Sequence, residues 1–474
     1  MTSQVKQQVR RAFAKMVMPY RFGPRGADDS HTINSAQKIY EEDYLRVIVS
    51  PPFRRMQDKA QVFPLESSDF VRTRLTHSLE VSFFGYALGC KVEELLFKKE
   101  LISEEVYKSH AIPSILKVSG LIHDIGNTPF GHFGEQSFQE FYKRVSTGDV
   151  SNDMQHAFHT MSKVEKEDLL HFDGNVQGLR VVKKLASANH TLSLDLTKSV
   201  IATMIKYPYD SKTGNNNKSG NHSQEKFGFF NAEKSVYRGI VEALDLHVHQ
   251  RHPLTYLLEA ADDIAYSVSD IEDGFSLKTM SLDTIKDVFK EYHSTALLSS
   301  LEPYEKDRQD VYVQQLRLRV QDKMIEDCAQ YYVSVFDKIV LDTYDHEPIL
   351  ESSLSADLRK ATKKLAINNF EDKRVVKHEI LGGQIITALL TMFANAIFDK
   401  ELITEDNKFN TKCKSYKLYS LISSGFKNVQ CRTTNDIIPV TPYGKFLLVN
   451  DFISGMTDSY ALRMYKELIS GDIS

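Results

Sequence analysis

The sequence is poor in cysteine: it has four, Cys90, Cys328, Cys413 and Cys431, far apart and at no metal-ligand spacing. That argues against a disulfide framework and a thiolate zinc site, and for reduced thiols in a cytoplasmic protein. Also missing is an apolar core behind the basic N-terminal residues MTSQVKQQVRRAF, and no uninterrupted apolar run has the length of a bilayer. Secretion and membrane insertion are not expected. Nor is there an excess of positive charge, because 59 basic residues face 63 acidic ones for a net −4. A polyanionic ligand therefore needs a local basic cluster, since no global field attracts it. Alternating β-branched runs are scarce and no internal repeat is evident. The fold class expected is mainly α.

What is present is a 474-residue chain, 42% hydrophobic, with room for one large or two moderate domains. Residues 1–33, with Gly23-Pro24-Arg25-Gly26, read as an irregular lead-in whose order depends on docking elsewhere. Helical periodicity then covers about 34–47, 72–99, 113–126 and 132–145, leaves 148–173 ambiguous, and returns at 178–188, 194–206, 231–247 and 253–273. The polar run 211–225, with Gly214-Asn215-Asn216-Asn217, reads as a mobile loop. Amphipathic helices continue to Asp399, and a mixed region follows that includes a candidate β-hairpin within 433–449 and a last helix from Ile453. We expect a catalytic core over 34–280 and a helical region over 281–474 that packs on it and takes part in oligomer contacts.

One short stretch concentrates chemistry. Leu121–Glu135, LIHDIGNTPFGHFGE, puts two histidines, an aspartate and a glutamate on either side of a Gly- and Pro-containing turn. Ile115, Leu116, Val118, Leu121 and Ile122 precede His123 and Asp124, which places the pair at the buried end of an amphipathic helix. An imidazole and a carboxylate taken out of water together need a partner, and a divalent cation is a good one. His132 and Glu135 stand three apart, so at the start of the next helix they share one face. Such a pair is suited to proton transfer or to activating a water.

Further along, Asp262, Tyr266 and Asp270 are spaced i, i+4, i+8 in EAADDIAYSVSD and form one stripe of a helix. Such a stripe is most often a solvated acidic face, but the Ala, Ile and Val neighbours make a wholly wet face less natural. His77, His123, Asp124 and Asp262 together supply two imidazoles and two carboxylates. That mixed set suits an octahedral divalent ion such as Mn²⁺, Fe²⁺ or Mg²⁺ with positions left open. Arg74, Lys206 and Lys226 each adjoin a motif rather than a charge run, and are the candidates for neutralising a phosphate chain.

RTRLTHSLEV, LIHDIGNTPFGHFGE and EAADDIAYSVSD, in that order, with the late VNDFISGMTDSYAL, resemble the deoxyguanosine triphosphate triphosphohydrolases of the HD-domain superfamily. The resemblance runs from about Asp43 to Tyr460. It implies a helical HD-domain core and hydrolysis of dGTP, or other dNTPs, to deoxynucleoside and inorganic triphosphate by water attack at the α-phosphorus. It implies metal ligands at His77, His123, Asp124 and Asp262 and a catalytic pair at His132 and Glu135. Sugar and phosphate contacts implied by it fall on Gln61, Val62, Arg74, Lys206, Tyr207, Lys226, Tyr266 and Asp270, with Tyr266 under the deoxyribose and Gln61 and Asp270 at its 3′-hydroxyl. Asn175 and Gln177 in FDGNVQG match a motif to which no role is attached. A homo-oligomer, a hexamer by analogy, and a nucleotide or single-stranded DNA effector are also implied. Two other readings use the same residues: an HD-type phosphodiesterase or nucleotidase, and a nucleotide-sensing nucleic-acid-binding protein.

Overall fold

Polar side chains cap the starts of several helices of this chain. In the computed structural model, which describes residues 2–22, 32–65, 70–186, 193–216, 220–304, 308–430 and 438–470, Thr73 caps the helix Arg74–Lys98 through a reciprocal box with Thr76. Ser162 and Glu165 do the same for Lys163–Leu170, and Ser151 caps Asn152–Thr160. These two short helices occupy the stretch that periodicity alone left ambiguous. They bury only Met154, Phe158, Asp168 and Leu169, too few apolar residues to set a clear helical period.

The architecture is α throughout the described residues, with isolated bridges Ala60–Thr73 and Ile403–Phe409 in place of strands. Two apolar clusters organise it. The first is built on the helices Arg74–Lys98, Ala111–Ile122, Thr255–Ser276 and Gln309–Val340. The second is built on Gly131–Thr147, Lys373–Phe398, Pro442–Ser454 and Asp458–Tyr465. Both draw on residues from either side of residue 280: Tyr332 and Phe336 share the first cluster with Leu88 and Leu116, and Phe138 and Phe141 share the second with Phe393 and Phe446. The turn 123–130 leads from the first cluster to the second, and the site lies along that junction.

Two expectations are corrected. Ser3–Met16 is a capped helix and not an irregular lead-in. Val9, Phe13 and Met16 recur at helical spacing and are buried, with Phe13 edge-on to Phe336 at 4.9 Å. A Phe buried this fully stabilises by about 1.5–3 kcal/mol, and Val9 and Met16 add to it from the same face. The hairpin is absent among the described residues: Thr441 caps the helix Pro442–Ser454, with Pro442 in its first turn, and 431–437 lie outside the description. Lys373–Phe398 is long and apolar enough to cross a membrane by length and composition. Its Ile386, Leu389, Leu390 and Phe393 instead fill the second cluster. In the loop 211–225, residues 217–219 fall outside the description, and the flanks are tied by Asn216 N to Gln224 O at 2.9 Å and Gln224 Nε2 to Thr213 O at 2.8 Å.

Candidate active site

The helix Ala111–Ile122 ends just before His123, and Asp124 opens the following turn. Gly120 lets this helix lie against Arg74–Lys98, since a Cβ there would come within 2.6 Å of Ser82 Cα. The close approach brings His77 and His123 together, their rings 5.4 Å apart and edge-on. His123 Nδ1 donates to Gly120 O at 2.8 Å, which leaves the lone pair on Nε2. That Nε2 is buried without a hydrogen bond of good geometry, its nearest carboxylate oxygens being Asp262 Oδ1 at 3.5 Å and Asp124 Oδ1 at 3.6 Å. His77 Nε2 lies 2.9 Å from Asp262 Oδ1. Ligating atoms of His77, His123 and Asp124 all fall within 4.8 Å of one another.

The electrostatics of this cluster favour a cation. Burial alone would lower the His123 pKa, yet Asp124 and Asp262 carry it up to about 9. Against the cost of burial, His123 and His77 hold the Asp262 carboxyl well below the usual carboxylate range. Asp124 is also held down against burial, first by Arg74, whose Nη1 is 2.7 Å from Asp124 Oδ2. A proton on His123 balances the carboxylates, and a divalent ion competes for the same lone pair. The orphaned Nε2, the fixed tautomer and the two-imidazole, carboxylate donor set fit such an ion.

Across the turn, Phe130 and Gly131 adopt left-handed backbone, φ +61° and +59°, before the helix Gly131–Thr147 begins. For Phe130 this costs on the order of 1–2 kcal/mol. His132 follows with its ring open to the cavity and its Nδ1 3.2 Å from Glu135 Oε2. Glu135 is buried, and its other oxygen accepts from Gly174 N at 2.9 Å. The bond to Glu135 is the chief reason the His132 pKa is raised, with burial opposing.

A cavity of about 380 Å³ runs over these groups. Its wall holds Gln61, Val62, Arg74, His123, Asp124, His132, Glu135, Asn175, Lys206, Tyr207, Lys226, Asp262 and Tyr266, all singled out in the sequence. His77 stands behind Asp262, 1% exposed. Asp270 is not in the wall: it is 2% exposed, and burial, then Asp273, pushes its carboxyl well above the usual range. Gln177 is buried too, its Nε2 donating to Asp451 Oδ1 at 3.1 Å.

Residues 74–214 match the HD domain family. The chain is 36% identical over 450 residues to deoxyguanosinetriphosphate triphosphohydrolase-like proteins of Listeria innocua and Listeria monocytogenes, covering 91% of this chain and 94% of each relative. It is 30% identical over 440 residues to the like-named protein of Synechocystis, covering 90% and 92%.

The chain belongs to the dGTP triphosphohydrolase family of HD-domain proteins.

As a member of that family it is a metal-dependent HD phosphohydrolase, and its His77, His123 and Asp124 cluster is compatible with a divalent ion. Other wall residues of this triphosphohydrolase family member escaped sequence reasoning. Arg359, Phe370 and Glu379 come from beyond residue 280. Arg359 is paired to Asp263 and donates to Ser267 Oγ at 2.7 Å, and the Phe370 ring lies near-parallel to Tyr266 at 6.4 Å. Each is a single residue on an ordinary amphipathic helix, with no motif around it to mark it. Among the cations, Lys206 meets Glu259 at 3.0 Å and Lys226 meets Asp173 at 2.5 Å.

Proposed function

We propose that this chain hydrolyses dGTP, and other deoxynucleoside triphosphates more slowly, to the deoxynucleoside and inorganic triphosphate. The observation that carries the reading is one cavity that joins His123, Asp124 and Asp262, with His77 behind them, to the His132–Glu135 pair, the cations Arg74, Lys206 and Lys226 and the aromatic wall of Tyr266. His77, His123, Asp124 and Asp262 would hold the metal, Mn²⁺, Mg²⁺ or Fe²⁺. When bound, the ion would withdraw charge from the α-phosphate and acidify the attacking water. Arg74, Lys206 and Lys226 neutralise the phosphate chain, Lys206 and Lys226 exchanging their carboxylate partners for it. Tyr266 supports the deoxyribose, with Gln61 and Val62 across from it.

The water oxygen bonds to the α-phosphorus as the bond to the 5′-oxygen breaks. Glu135 raises the His132 pKa and so favours the imidazolium, which delivers its proton to that leaving oxygen. The proton given up by the water returns to solvent.

The test is product analysis of dGTP turnover with Mn²⁺ or Mg²⁺. Inorganic triphosphate in equal amount to deoxyguanosine is expected. Pyrophosphate or orthophosphate as first product, or turnover of monophosphates in preference, would replace this reading with a nucleotidase or phosphodiesterase.

A further inference from the structure

All proposed ligands and catalytic groups lie before residue 271, yet the late run VNDFISGMTDSYAL was singled out with them. The structure shows what this run touches. Between the helices Pro442–Ser454 and Asp458–Tyr465 the chain turns a corner at Gly455-Met456-Thr457. Asp458, 2% exposed, sits at that corner and divides its carboxylate between two distant backbone amides. Its Oδ1 accepts from Phe130 N at 2.9 Å and its Oδ2 from Ala60 N at 3.0 Å.

Both amides matter by their position. Phe130 is the left-handed residue two before His132, and Ala60 directly precedes Gln61. Lys59, also buried, reinforces the arrangement: its Nζ donates to Asn127 O at 2.5 Å and to Ser454 O at 2.9 Å. Its carbonyl in turn accepts from Arg74 N at 3.0 Å. The Phe130 ring is seated where Gly382 has no side chain, since a Cβ there would come within 2.4 Å of it. The corner therefore bonds at once to the turn that carries His132 and to the segment that carries Gln61 and abuts Arg74.

We propose that Asp458, assisted by Lys59, is a positioning residue that sets the distance between the His132 side and the Gln61 side of the cavity. It rests on the catalytic reading above for what those two sides do. Left-handed backbone at a Phe relaxes unless something holds it, and the bond to the Phe130 amide is such a hold. Burial pushes the Asp458 carboxyl up to about 6, against the two amides, Lys59 and Arg74, so the anion that grips both amides is the form present at neutral pH. A displacement near 1 Å at a reacting group is enough to cost on the order of a hundredfold in rate.

The experiment compares wild type with Asp458→Ala and Asp458→Asn as full-length, metal-loaded protein. Amide hydrogen exchange is measured over residues 58–62 and 127–132, with kcat, KM for dGTP, bound metal and folded fraction by circular dichroism. In Asp458→Ala exchange should quicken in both segments together, kcat per folded molecule should fall on the order of a hundredfold, and KM should rise, with metal content unchanged. Asp458→Asn keeps one acceptor and should release one segment while holding the other, with a smaller loss of rate. If Asp458→Ala fails to fold, the Asn variant and Lys59→Met carry the same comparison. Exchange and kcat per folded molecule unchanged within about twofold, or a rate loss that only follows the folded fraction, would overturn the proposal. The exchange arm needs no turnover. A wild type that makes no triphosphate therefore sinks the catalytic reading, whereas unchanged exchange sinks the positioning role.

Discussion

His132 is the residue whose protonation state can be argued most directly. Its imidazole is open to the cavity and its pKa is raised chiefly by the bond to Glu135. If it donates to the leaving oxygen, kcat is full below that raised pKa and falls as pH rises through it. Glu135→Gln removes the carboxylate, lowers the His132 pKa, and should move the alkaline limb of the kcat profile to lower pH. A limb that stays in place, or moves up, would refute the acid role. His132→Ala should slow turnover by roughly a hundredfold or more while metal content stays at the wild-type level. Asp262→Ala should do the reverse in kind and lower metal occupancy, measured by elemental analysis after dialysis against a fixed free-metal concentration.

At the scale of elements, the metal cluster depends on how closely two helices approach. Gly120 sits where any side chain would overlap the backbone of Ser82. Gly120→Ala should therefore cost about 1–3 kcal/mol in urea unfolding and weaken metal binding, because His77 and His123 ride on the two helices being separated. The histidine-bearing helices were legible in the sequence, since apolar residues at helical spacing lead up to His123 and the Thr73 cap precedes His77. The N-terminal helix Ser3–Met16 was not, because Val9, Phe13 and Met16 stand among polar residues and the partner Phe336 is far away in the chain. The expected hairpin failed for a related reason: mixed composition hid a capped helix starting at Pro442.

For the whole molecule, the join between the two apolar clusters carries a buried ion network. Arg180 Nε is 2.6 Å from Asp451 Oδ1 and its Nη1 is 2.7 Å from Glu233 Oε1, all three side chains 1% exposed or less. Arg180→Met leaves two carboxylates without their guanidinium and should destabilise by about 3–5 kcal/mol, read as a fall in the thermal midpoint at pH 7. Chelating the bound ion should also lower that midpoint. An ion present at a hundred times its dissociation constant contributes about 2.7 kcal/mol when it binds only the folded chain, and re-addition should restore it.

Local order settled what local order can. The residue types of the His132–Glu135 pair, the helical stripe Asp262–Tyr266–Asp270 and the cations beside motifs could all be read in the chain, because spacing of three or four residues places side chains on one face. Which face looks into the cavity could not be read. Asp270 continues the stripe of Tyr266 but is turned behind the wall, and Arg359, Phe370 and Glu379 reach it from beyond residue 280. Nor does any spacing tell that Asp458 grips the amides of Ala60 and Phe130, since contacts across hundreds of residues are made by packing two cores together and not by any repeat along the sequence.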